Sequence, residues 1–415
     1  MRVSRDIDSL LLTTTVMLCI IGLSLIYSVF HPAQGEFARE VDNLYFQRQL
    51  IWLCFGIVAM FIGFAVPFRY FETLAYVYYL VCMTLLVLVL FAGEGEGIQR
   101  WISIGPMRLQ PSEFTKVALL FVWGRILSGH MGGMDRAKKM VASIGLLMAP
   151  FLLVLKQPDL GTAIILLVMS LPVLFWRGLR GHQIFFMISP VVAGLLIVYC
   201  EQILEASWPF GIYIVVIFII AYMGRSNPRE SIALVVANLG VGFVGPIVLN
   251  QLEPYQQSRI INFLNPESDR LGAGWQVFQS KIAIGSGGLS GKGYLEGTQK
   301  ALEFLPAKHT DFVFSVLGEE MGFVGALLAL VLFAVLIARA LSTAVKVKSQ
   351  FASTVCVGIA AYFFFQVFIN IAMVTGMAPV TGIPVPFLSY GGSSLVVSCF
   401  LVGFLLNCTV RWYEY

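Results

Sequence analysis

Long apolar runs, each ended by a short charged or Gly/Pro-rich interval, recur along the chain from Leu10 to Cys408. Their lengths suit helices that cross a hydrocarbon core of about 30 Å. Read between the breaks, the pattern predicts about twelve spans. They cover 10–30, 49–66, 74–92, 112–129, 141–155, 161–176, 184–200, 209–223, 231–250, 311–337, 351–376 and 388–410. Several are short for a straight crossing, which predicts kinked or partly buried helices. The expected fold is all-α, a polytopic transmembrane helix bundle forming a single integral membrane domain over 1–415. The first run follows MRVSRDIDS with no small-residue cleavage site, so it is read as a retained span.

An even number of spans puts both termini on one side. Placing them in the cytoplasm gathers Arg69, Arg125, Arg136, Lys138, Lys139, Arg177, Arg180, Arg225 and Arg229 inside, whereas the short outer loops keep only Arg39, Arg48, Arg100, Arg108 and Lys156. That asymmetry follows the positive-inside rule. Segment 251–310 breaks the pattern, because it mixes polar and apolar residues and contains IAIGSGGLSGKGYLEG. A loop of that length is usually functional or disordered, and its Ile260, Ile261, Phe263, Leu264, Val277 and Phe278 argue against disorder. It is expected to be a large structured extracytoplasmic loop, with QVFQSKIAI forming a helix in the interface plane.

Composition agrees with this reading. The 415 residues are 58% hydrophobic and 12% charged, against about a quarter charged in soluble domains. The net charge of +4 is spread between spans and makes no case for nucleic acid. All seven cysteines lie within or beside apolar runs, at no metal-ligand spacing. The four histidines, His31, His130, His182 and His309, are far apart and make no metal site. The sequence leaves open whether a divalent cation is required.

Charged residues within the apolar pattern are the candidate chemistry. Glu113 and Lys116 in RLQPSEFTKVALL lie three apart, on one helical face, where they can neutralise each other; the alternative is that both snorkel to the interface. Asp159 in LKQPDLGTA follows a proline, at the position of a loop or helix N-terminus. Asp311, Glu319 and Glu320 open the run HTDFVFSVLGEEMGFVG, and at least one of them should meet a basic group or a water-filled cavity. GIPVPFLSYGGSS, with Ser389 and Tyr390, reads as a rigid turn entering a helix. The Gly-rich run fails as a nucleotide loop, because Ser286 stands in place of the first glycine and Gly293 in place of the hydroxyl residue. Its glycines allow tight turns or close backbone approach to a head group. Asp269 in FLNPESDRLGAGWQVFQ reads locally as a turn acid.

Five stretches in order, RWISIGPMRLQPSEFTK, KQPDLGTA, NPESDRLGAGWQVFQSKIAIGSGG, FLPAKHTDFVFSVLGEE and PVTGIPVPFLSYGGSS, resemble the signature blocks of the SEDS family of peptidoglycan glycosyltransferases. The forms QSKIAIGSGG and VTGIPVPFLSYGGSS look more like its cell-elongation members than its division members. The resemblance implies polymerisation of lipid II into a growing glycan strand on the outer face of a bacterial cytoplasmic membrane, with release of undecaprenyl pyrophosphate. It also implies a class B penicillin-binding protein as transpeptidase partner, and contact with membrane lipids. The family's proposed catalytic acid maps onto Asp269, as general base. Substrate contacts are expected from Arg108, Glu113, Lys116, Asp159, Lys281, Lys308, His309, Asp311, Ser389 and Tyr390, with Arg259 and Arg270 as further cations. Two departures stand out. The family pattern has ten spans, the surplus pair here falling within 184–250, and Arg270 and Trp275 replace the usual proline and tyrosine. A lipid II flippase and a non-enzymatic scaffold are the competing readings.

Overall fold

The computed structural model describes residues 7–31, 43–93, 100–104, 107–128, 136–200, 204, 206–223, 228–251, 257, 263, 273–298 and 310–414. Nearly all of these are helical: α1 (Ser9–Phe30), α2 (Asn43–Ala65), α3 (Phe68–Ala92), α4 (Pro111–Leu127), α5 (Arg136–Lys156), α6 (Leu160–Trp176), α7 (Gly181–Tyr199), α8 (Trp208–Met223), α9 (Pro228–Gln251), α10 (Ala273–Gly287), α11 (Val313–Lys346), α12 (Gln350–Val374) and α13 (Gly392–Val410). A short antiparallel hairpin, β1 (Ile102–Ile104) and β2 (Met107–Leu109), pairs Ser103 with Arg108 just before α4. Each predicted apolar run falls on a helix, and α10 lies inside the predicted loop. Among the described residues, seven helices, α1, α2, α3, α5, α11, α12 and α13, are long and apolar enough to cross a membrane, and α6 to α9 contain shorter apolar stretches. The protein is built as a multi-pass membrane protein.

By contact the chain divides into two compact units, Met1–Arg177 with Gln276–Tyr415, and Gly178–Trp275. In the first, small residues let helices approach. A Cβ on Gly63 would lie 2.6 Å from Phe400 O and one on Gly403 2.1 Å from Met60 O, so α2 and α13 pack backbone to backbone. Asn407 Nδ2 then donates to Gly63 O (3.0 Å) and Phe64 O (2.8 Å), satisfying carbonyls at the end of α2. Helix α4 carries Glu113, Lys116 and Arg125, and all its residues except Phe114 and Arg125 are buried. Glu113 and Lys116 are therefore surrounded by protein, where lipid exposure would cost about 2.5–3.5 kcal/mol each.

Helix α11 is broken at Gly322, whose φ of 64° and ψ of −162° lie outside helical values. Continuous helix would bond Phe323 N to Glu319 O and Val324 N to Glu320 O. The Gly-rich segment supplies substitutes on both sides. Phe323 N donates to Gly288 O (2.9 Å) and Val324 N to Leu289 O (3.1 Å), while Glu319 O and Glu320 O accept from Lys292 N (3.0 Å) and Gly293 N (3.1 Å). Gly291 has φ 81°, and a Cβ there would sit 2.0 Å from Glu320 O. The close approach expected of these glycines is thus made to the protein's own backbone.

The second unit is the α7–α9 hairpin cluster. Tyr213 OH donates to Ser189 O (2.7 Å), and buried Asn238 Nδ2 donates to Ser189 Oγ (3.0 Å) and Leu234 O (2.8 Å). Ile217, Ala221 and Leu234 form its small apolar core. The surplus spans expected within 184–250 fall here.

Candidate active site

The β1–β2 hairpin leads into Gln110 and Pro111, which start α4; Pro at the first helical position costs no hydrogen bond. Gln110 N donates to Ser393 Oγ at 2.9 Å, tying this start to α13. One turn later Lys116 Nζ donates to Glu113 Oε1 at 2.6 Å, with the two residues 2% and 3% exposed. Neither snorkels. The ammonium also lies 5.6 Å from the centroid of the buried Tyr362 ring, an additional cation–π attraction. Tyr362 OH stands 3.3 Å from Ser398 Oγ. The second oxygen of Glu113, Oε2, is buried without a hydrogen-bond partner among the described residues.

Asp159 caps α6, its Oδ1 accepting from Thr162 N (3.1 Å) and its Oδ2 from Thr162 Oγ1 (2.9 Å). It does more than cap. Oδ2 also accepts from Gln110 Nε2 at 2.8 Å, and Arg100 NH1 lies 4.0 Å from Oδ1. Arg100 is held by Gln157 O (2.9 Å) and by Pro158 O. The facing wall is segment 381–384, brought close because Gly161 has no side chain: a Cβ there would meet Thr381 O at 2.5 Å. Gly382, at φ 72°, lies beside the Asp311 carboxylate, and Asn370 Nδ2 ties Asp311 O (2.8 Å) to Ile383 O (2.6 Å).

These groups enclose a cavity of about 80 Å³ bounded by Arg100, Trp101, Gln110, Glu113, Lys116, Asp159, Thr162 and Ile165, and by Gly382, Ile383 and Pro384. Drug-sized ligands occupy roughly 300–1,000 Å³. The cavity can therefore seat a small polar or charged group, with the rest of any large substrate outside it. Glu113, Lys116 and Asp159 line it directly, and Asp311 stands behind its Gly382 wall.

The other expected residues are placed differently. Tyr390, half-buried in the turn before α13, packs edge-on against Tyr45 at 5.4 Å. Burial pushes its phenol above the usual range, opposed by the nearby cations Arg48 and Arg108. Arg108 is exposed on β2. Ser389 Oγ accepts from Val385 N at 2.8 Å, closing its own turn. Lys281 is exposed on α10, and its Nζ lies against Gly376. Asp269, Lys308 and His309, with Arg259 and Arg270, lie outside the described residues. Of the acids in the α11 run, Glu319 meets Lys292 Nζ at 2.7 Å, and Glu320 accepts from Ser28 Oγ at 2.6 Å. Arg100, Gln110, Ser393 and Tyr362 were not singled out from the sequence. Only Gln110 carried a local signal, as the residue before the helix-starting proline.

The family profile FTSW_RODA_SPOVE, described as cell cycle protein, matches residues 8–209 and 209–413. The chain is 36% identical over 393 residues to the peptidoglycan glycosyltransferase MrdB of Escherichia coli K12, covering 94% of this chain and 91% of that protein. It is 35% identical to stage V sporulation protein E of Bacillus subtilis 168, covering 96% of each. With the peptidoglycan glycosyltransferase RodA of Treponema pallidum it shares 32% identity over 98% of each chain. Among solved structures, a chain from a peptidoglycan synthase complex that coordinates polymerization and crosslinking superposes with a TM-score of 0.71. It shares 28% identity and covers 99% of this chain and 100% of that one. The rod shape determining protein RodA of Thermus thermophilus has the same fold, at a TM-score of 0.64 and 24% identity, covering 99% of each chain.

Proposed function

Since the chain belongs to the FTSW_RODA_SPOVE family of cell cycle proteins, we propose that it is a peptidoglycan glycosyltransferase that polymerises lipid II into glycan strands during cell elongation. The observation that carries the activity is near full-length relatedness to proteins of that name. The cavity supports it, because a charged pocket inside a membrane protein suits a substrate with an anionic group on a lipid carrier.

The reaction joins two sugars. The acceptor hydroxyl attacks the anomeric carbon of the donor, the new C–O bond forms, and the bond to the pyrophosphate oxygen breaks. A hydroxyl is a weak nucleophile, so a carboxylate must take its proton as it attacks; that role falls to Asp269. The departing pyrophosphate, still on its undecaprenyl chain, needs cationic stabilisation. Arg108, Lys116, Lys281 and Lys308 are assigned to it, with Glu113 orienting Lys116 and Asp159 orienting Arg100 beside them. We place the site on the outer face of the bacterial cytoplasmic membrane. A class B penicillin-binding protein is the assigned partner, and the similar chain in a complex for polymerization and crosslinking supports that pairing.

The test is Asp269→Asn, which keeps size and much of the hydrogen bonding while removing the proton acceptor. Polymerisation should collapse while insertion and lipid II binding persist. Near-normal polymer from folded Asp269→Asn protein would remove the general-base role and reopen the flippase and scaffold readings.

A further inference from the structure

We infer that Lys292 and Glu319 are positioning residues for the transfer reaction, acting by locking segment 288–293 into the break of α11 and so holding the preceding helix α10, which carries Lys281. The inference rests on the transferase reading above, but its observations are separate from the cavity.

The break at Gly322 frees two carbonyls and two amides, and the segment 288–293 satisfies all four. Such groups are costly inside a membrane protein when unpaired, so the segment is held in place by the backbone of α11. A charged latch closes over it. Lys292 Nζ donates to Glu319 Oε1 (2.7 Å) and to Thr298 Oγ1 (2.8 Å), and the same Oε1 accepts from Thr298 N at 2.8 Å. Glu319 is 1% exposed, whereas the Lys292 side chain is 27% exposed. Both ends of the segment 292–298 are thereby pinned to one carboxylate oxygen. Next to the latch, Tyr294 OH donates to Ser24 O of α1 at 2.9 Å, so α1 is joined to the same assembly.

The segment continues directly from the C-terminus of α10, and that helix is held at two points. A Cβ on Gly287 would lie 2.0 Å from Gly318 O, which leaves α10 and the first half of α11 in backbone contact. Two turns earlier, buried Ser280 Oγ donates to Val374 O at 2.7 Å and lies 2.6 Å from Ser315 Oγ. Two fixed points set the axis and rotation of a rigid rod. Lys281 adjoins the second of them, so its direction is decided by how firmly both hold. The latch governs the first. A displacement of about 1 Å at a reacting group can cost on the order of a hundredfold in rate, which makes a remote ion pair relevant to turnover.

The test uses the full-length protein in lipid nanodiscs, with steady-state lipid II polymerisation and hydrogen exchange over 276–287 measured on the same preparations. Glu319→Gln and Lys292→Met should each lower kcat at least about tenfold, change KM for lipid II less than about twofold, and raise exchange in α10. Lys292→Arg, which keeps the charge, should recover most of the lost kcat. Should Glu319→Gln fail to fold, Lys292→Met and Thr298→Val carry the same readouts, because those side chains are partly exposed. Unchanged kcat in the variants, or a fall in kcat without faster exchange in α10, would overturn the inference. An inactive wild-type protein would instead overturn the transferase reading, and the positioning role with it.

Discussion

At the scale of single residues, the Glu113–Lys116 pair is the most consequential feature of the first unit. Both groups are almost fully buried, so removing one partner leaves the other charge uncompensated. Lys116→Met should destabilise the protein by about 3–5 kcal/mol, seen as a lowered thermal midpoint in detergent, and should abolish polymerisation. Adding Glu113→Gln should recover part of the stability, and a double-mutant cycle should show coupling. Additive effects would mean that the pair does not act as a unit. The three-residue spacing made this pair legible in the sequence, because a helix fixes which residues share a face. Its partners were not legible. Gln110 reaches Asp159 and Ser393, and Lys116 reaches Tyr362, only after distant segments pack together.

At the scale of elements, the glycines of segment 288–293 were recognisable as turn-formers, but their target was not. What they approach is the interrupted backbone of α11, and nothing in GEEMGFVG marks Gly322 as a break. Gly291→Ala would place a methyl group 2.0 Å from Glu320 O at a φ of 81°. The segment would have to leave the break, exposing Phe323 N and Val324 N. We therefore expect faster hydrogen exchange at those two amides and loss of activity; native-like protection would contradict the substitute-bonding account. The contrast with the second unit is useful. Asn238→Leu removes hydrogen bonds between α7 and α9, of a kind worth about 0.6 kcal/mol on average in membrane proteins and at most about 1.7. Its thermal midpoint should fall only slightly, with polymerisation retained. A large loss of activity would give the α7–α9 unit a catalytic role not assigned to it here. Helix α10 was foreseeable from the mixed character of QVFQSKIAI, since tertiary bonds from Ser280 reinforce a local preference already present.

At the scale of the whole molecule, hydropathy located every helix that corresponds to a predicted span, yet it does not count membrane crossings. Helix α4 explains why: it is short and carries three charges, and its burial inside protein lets it sit where a lipid-facing helix of that composition could not. Twelve spans with both termini cytoplasmic remain our proposal, and reporters fused after Glu205 and after Gly297 should both read outside. A cytoplasmic signal from either would overturn that topology. The assignment of Asp269 rests only on its ordered neighbours in sequence, because an acid after a proline has no local pattern that distinguishes a base from a cap. The central claim is that this chain itself forms the glycosidic bond. Its most direct test is purified wild-type protein reconstituted with labelled lipid II, with the proposed transpeptidase partner present but that partner's crosslinking blocked. The account predicts glycan polymer with matching release of undecaprenyl pyrophosphate, and no requirement for nucleotide. Folded protein that binds lipid II but yields no polymer, or only moves it across the bilayer, would contradict it.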